Sequence, residues 1–166
     1  MNVLRVCPVS GCGELTTGGR CPQHRRADNQ RRHAKQKANG TTSARWQRVG
    51  PLQSNKVRRA VELFDVIETV DGLDLARRLD RIAGELRRGR PLPVLLQVNV
   101  DVDPAKAGFA PDAMGDALPT LVALPNLDVR GLMTVGRLVA DPEDARATFR
   151  TLRELASRLQ TDQPGL

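Results

Sequence analysis

Apolar residues fall into two alternating textures from Trp46 onward. Short continuous runs, DVIETV at 65–70 and PVLLQVNV at 93–100, have the length of strands covered on both faces. Between them the apolar positions recur every three or four residues, the spacing of one helix face. QSNKVRRAVELF (53–64) puts Val57, Ala60, Val61 and Phe64 on one side. DGLDLARRLDRIAGELRRG (71–89) repeats Leu75, Leu79, Ile82 and Leu86, with Gly89 suited to the C-cap. PEDARATFRTLRELASRL (142–159) predicts a last amphipathic helix, with Asp141 as N-cap and Pro142 at its first position. Weaker signals complete the pattern. RWQRVG (45–50) and LDVRGLMTVG (127–136) read as strands, DVDPAKAGF (101–109) as a loop, and 111–124 as a helix.

The resulting order is β-α-β-α-β-α-β-α. Strands alternating with helices predict a parallel sheet with right-handed crossovers. A closed (β/α)8 barrel needs eight such units. The four found here predict a partial TIM-type barrel or a small open α/β sheet, whose two outer strands leave unpaired backbone groups that invite self-association.

Composition agrees with that fold. Three Phe, one Trp and no Tyr leave Leu, Val, Ile and Ala to fill the core. No apolar run approaches the roughly 20 residues of a membrane span, and MNVLRVCPVS carries no apolar signal region. A cytoplasmic location, with no membrane partner, is expected.

The first 48 residues differ in kind. They hold ten Lys or Arg against two acids, whereas the remainder carries sixteen basic and seventeen acidic residues. Residues 25–45, RRADNQRRHAKQKANGTTSAR, are polar and basic, and read as a flexible linker. Before it, Cys7, Cys12, Cys21 and His24 are spaced C-x4-C-x8-C-x2-H within residues 1–24. Thiolates and an imidazole suit a tetrahedral structural zinc ion, and a closed set of four leaves no open position for catalysis. A disulfide with one spare thiol, or three unbound cysteines, are the competing readings. The stretch 5–48 resembles the zinc-binding lead segment of phage-type HNH endonucleases. With His24 and His33 the only histidines, the resemblance implies no nuclease activity. A basic stretch over 20–48 also suggests contact with nucleic acid phosphates.

Three separated stretches carry a second resemblance: GPLQSNKVRRAVELFDVIETVD (50–71), LPVLLQVNVDVDPAKAGF (92–109) and LPNLDVRGLMTVGRLVADPEDARATFRTLREL (124–155). They resemble the pyridoxal phosphate homeostasis proteins, single-domain relatives of the alanine racemase barrel, over 46–166. The resemblance implies a TIM-type barrel and pyridoxal 5′-phosphate as a ligand that is held and handed over rather than turned over. It implies Asn55, on the first strand-to-helix loop, and Met133, at a strand end, as part of one pocket wall. Other family features are unmatched. No lysine stands at the family's SK-type motif, where the Schiff base forms. Gln47 follows Trp46 where the family carries a histidine, and QPGL comes just before the family's Ser-rich and Gly-rich phosphate segments.

The expectation is therefore a truncated homologue with weak or lost cofactor affinity and no catalysis. The alternatives are a nucleic-acid-associated zinc module on an α/β scaffold, or a gene-fusion product without selected activity. Lys56 and Lys106 are expected to be solvated surface lysines, and the pairs Arg77-Arg78 and Arg87-Arg88 to be solvated helix faces.

Overall fold

The computed structural model describes residues 5–6, 15–16 and 45–162. The chain divides into two compact units, Met1–Ala44 and Arg45–Leu166. In the first, β1 (Arg5–Val6) and β2 (Leu15–Thr16) pair antiparallel, with Arg5 opposite Thr16 and Val6 opposite Leu15. Cys7, Cys12, Cys21 and His24, and residues 25–44 of the basic segment, lie outside the described residues. Among the described residues, no group of three or more His, Cys, Asp or Glu is placed to hold a metal ion.

The second unit runs β3 (Gln47–Arg48), a 3-10 turn (Ser54–Lys56), α1 (Val57–Leu63), β4 (Val66–Val70), α2 (Leu73–Arg87) and β5 (Leu92–Gln97). It continues through α3 (Met114–Val122), β6 (Leu127–Met133), a second 3-10 turn (Pro142–Ala145) and α4 (Arg146–Asp162). All four strands are parallel and lie in the order β3-β4-β5-β6. Each strand sits beside its predecessor. That is the winding of a barrel wall, whereas a doubly wound sheet reverses its strand order part-way.

The expected elements all form, with shorter strands. β5 stops at Gln97 rather than residue 100, because the backbone beyond Val98 turns over Asn99. The 127–136 strand ends at Met133, and the helix expected over 111–124 occupies 114–122. The last helix begins as the 3-10 turn, where Asp141 Oδ1 accepts from the Glu143 N–H at 2.9 Å and Pro142 takes the first position. α2 carries Asp74 in its first turn and Arg87 in its last, each complementing the helix dipole. It ends where Arg88 (φ 47°) and Gly89 (φ 78°) enter the left-handed region.

The core lies between the sheet and its helices. Leu92, Val94, Leu96 and Val98 form one alternating row, each at most 1 % exposed, packed in one cluster with Leu79, Ile82, Leu118 and Leu121. α4 contributes Leu155 and Leu159 to the same cluster. Arg87 departs from the solvated face expected of it. It is partly buried and donates to the carbonyls of Phe64 and Arg90. Burial first, then repulsion from Arg90, holds its guanidinium below the ordinary arginine value, while Asp65 works in the opposite direction. Among the described residues, no helix is long and apolar enough to cross a membrane.

Candidate functional site

The parallel strands all deliver their C-terminal ends to one side, and the loops that follow them gather there. Two of these loops, 98–113 after β5 and 134–141 after β6, are built onto each other. Asn99 organises the first. Its Oδ1 accepts from the Asp103 N–H (3.0 Å), and its Nδ2 donates to the carbonyls of Asp103 (2.8 Å) and Lys106 (3.1 Å). Gln97, 7 % exposed, donates to the Ala107 carbonyl at 2.8 Å. The chain then returns to β5, so that Phe109 pairs with Val98 as a single parallel bridge. Asn99 N donates to Phe109 O at 2.9 Å, and Phe109 N to Gln97 O at 2.8 Å.

Gly108 makes this return geometrically feasible. Its φ is +134°, and a Cβ there would lie 2.8 Å from Asn99 N and 3.0 Å from Gln97 O. Only a residue without a Cβ lets two backbones approach so closely at that angle.

Lys106 spans the two loops. Its Nζ donates to the carbonyls of Val135 (3.1 Å) and Gly136 (2.8 Å) and lies 3.7 Å from Asp103 Oδ2. The side chain is 24 % exposed, so the solvated lysine expected from the sequence is instead a tie between loops. Thr134 Oγ1 makes a second tie, donating to Val98 O at 2.7 Å.

Beside these ties a polar cleft of about 620 Å³ opens between Val100 and Asp101, residues 137–139 and the start of α4. Asp101 lies at its base with a side chain 7 % exposed. Its Oδ1 accepts from Thr148 Oγ1 at 2.7 Å, across 47 residues of sequence. Its Oδ2 is buried and, among the described residues, accepts no hydrogen bond. Arg137 Nε stands 3.8 Å away, with its own side chain two-thirds exposed.

Asn55 lies in the exposed 3-10 turn after β3. Met133 is the last residue of β6, partly buried, and its carbonyl accepts from Val98 N at 2.9 Å. Asn55 thus follows the C-terminal end of one strand and Met133 forms that of another. β3 and β6 are the outermost strands, so the two positions belong to opposite edges of the sheet. Lys56 is exposed, as expected. The nucleic-acid reading rests on residues 20–48, of which 45–48 are described; there Arg48 donates to the carbonyls of Val49 and Pro51. Sequence reasoning passed over Asn99, Asp101, Gly108 and Thr148. The available signal was the abrupt change from an apolar strand to the polar stretch N-V-D-V-D, which marks a loop at a strand's C-terminal end.

Pyridoxal phosphate offers a dianionic phosphate, a reactive aldehyde and an apolar ring. The described residues match only part of it. Met133 offers apolar surface beside the strand ends, but the open acceptor at this face, Asp101 Oδ2, is a carboxylate oxygen that repels phosphate. Capture of the aldehyde needs an unprotonated amine. The Lys106 amine is engaged by two carbonyls and stands 3.7 Å from Asp103 Oδ2, and Lys56 is exposed to water.

Comparison with known proteins supplies the remaining findings. The family model described as alanine racemase, N-terminal domain, matches residues 32–165. A pyridoxal phosphate homeostasis protein of Synechocystis sp. is 42 % identical over 115 residues, covering 69 % of this chain and 51 % of that protein. The chain spans about half the length of the curated relatives it matches. Among solved structures, PipY of Synechococcus elongatus PCC7942 with PLP bound superposes with a TM-score of 0.68 at 41 % identity, over 83 % of this chain and 63 % of that one. An alanine racemase of Clostridium difficile shares the fold, with a TM-score of 0.61 at 17 % identity over 78 % of this chain and 35 % of that one.

Proposed function

Because this chain belongs to the alanine racemase N-terminal domain family, we propose that it binds pyridoxal 5′-phosphate in a homeostatic role, holding and releasing the cofactor without turning over a substrate. The observation that carries this reading is the 42 % identity to a pyridoxal phosphate homeostasis protein. The PLP-bound relative, similar over 83 % of this chain, supports it. We further propose that binding here is non-covalent and weak. Of the lysines among the described residues, Lys106 is committed to the Val135 and Gly136 carbonyls and Lys56 is exposed at the surface.

Equilibrium dialysis against pyridoxal phosphate, paired with borohydride reduction and peptide mapping, tests both parts. Saturable uptake without a stoichiometric reducible adduct is the expected result. Absence of saturable uptake overturns the binding proposal. A stoichiometric adduct on Lys35, Lys37, Lys56 or Lys106 overturns the non-covalent one.

A further inference from the structure

We propose that the cleft over Asp101 is a binding site for a small ligand bearing a primary ammonium group, distinct from the cofactor reading above. Asp101 is a buried carboxylate with one oxygen served and one not. Thr148 donates to Oδ1 at 2.7 Å, and Thr148 is itself 7 % exposed, so the hydroxyl is fixed in place and the carboxylate is oriented by it. Oδ2 has been withdrawn from water and receives no hydrogen bond among the described residues. Leaving a charged oxygen in that condition is costly, and a donor that reaches it recovers the cost.

The group standing over Oδ2 is Arg137, whose Nε at 3.8 Å is beyond hydrogen-bond reach. With a side chain two-thirds exposed, Arg137 can swing into solvent without disturbing packing. The cleft also holds Asp144, so its lining carries two carboxylates and one guanidinium. Thr151, in the same lining, adds a hydroxyl acceptor. An ammonium group is compact and carries three donors. It suits a single carboxylate oxygen at the base of a cleft better than a planar guanidinium held at its rim.

Two kinds of molecule share this chemistry: a zwitterion, whose carboxylate would engage the displaced Arg137, and a diamine, whose second ammonium would engage Asp144. The test is a titration of the isotope-labelled full chain with ethylamine hydrochloride, followed through backbone amide shifts, with sodium chloride as control. Saturating shifts at Asp101 and Thr148 are expected, with affinity about tenfold weaker in Asp101→Asn. Arg137→Ala, a change at an exposed side chain, is expected to tighten ethylamine binding severalfold by removing the competing cation. Parallel titrations with β-alanine and putrescine assign the source. Preference for β-alanine that disappears in Arg137→Ala marks a zwitterion site, and preference for putrescine that disappears in Asp144→Ala marks a diamine site. Linear, unsaturated shifts, an unchanged curve in Asp101→Asn, or weaker ethylamine binding in Arg137→Ala would each overturn the assignment.

Discussion

Replacing Gly108 by alanine tests whether the loop after β5 is held by close backbone contact. The new Cβ would lie 2.8 Å from Asn99 N, 3.0 Å from Gln97 O and 3.1 Å from Val98 C, at a φ of +134°. All three neighbours are main-chain atoms, so no side chain can rotate away to make room. If the loop keeps its place, the strained backbone costs about 1–3 kcal/mol. If it retreats, the Asn99–Phe109 and Phe109–Gln97 hydrogen bonds are lost, at about 1 kcal/mol each. Phe109, now 9 % exposed, then returns partly to water. The two routes together bracket a loss of about 1–4 kcal/mol, against a total of about 6–18 kcal/mol for a unit of this size. Thermal unfolding followed by far-UV circular dichroism is expected to show a Tm lower by about 10 °C. Hydrogen exchange is expected to show lost protection at the Asn99 and Phe109 amides. Gly115→Ala supplies the control: its Cβ would meet nothing within 4 Å and the site is helical, so a neutral change or a gain of up to about 1 kcal/mol is expected. If Gly108→Ala melts like its Gly115 counterpart and keeps both amides protected, the close-contact reasoning is wrong.

Leu79→Ala removes a fully buried side chain from the face of α2 that meets the sheet, and chemical denaturation is expected to show a loss of about 2–5 kcal/mol. Lys106→Met leaves the Val135 and Gly136 carbonyls without their cation; a loss of about 1–2 kcal/mol is expected, with faster proteolysis within residues 134–141. The outermost strands β3 and β6 present backbone groups that no strand among the described residues pairs, so we propose that the α/β unit self-associates. Its solution mass by light scattering should then rise above that of a monomer with concentration, and a constant monomer mass would refute this.

Different parts of the molecule were legible in the sequence for different physical reasons. The period of α2 and the apolar run of β5 each encode their own burial, so Leu79 and Val94 were readable without knowing what covers them. Strand ends were read too long at 100 and 136, because they are set by where Asn99 and Thr134 turn their side chains onto the backbone. The candidate site was least legible. Thr148 reads as one polar residue in an amphipathic helix until folding brings it to Asp101, and Lys106 reads as a loop charge until two distant carbonyls meet it. Such roles belong to pairs far apart in sequence, and neither local pattern nor composition records them. Asn55 and Met133, taken from a family resemblance, are placed at opposite edges of the sheet, the first after a strand and the second at a strand's end.

The sequential strand order has a bearing on how the molecule comes into being. Each hydrogen-bonded strand pair joins segments separated by one helix, so loop-closure entropy stays small at every step. The wall can thus be laid down in chain order from β3 to β6 as the polypeptide is synthesised, each new stave docking on the one before it.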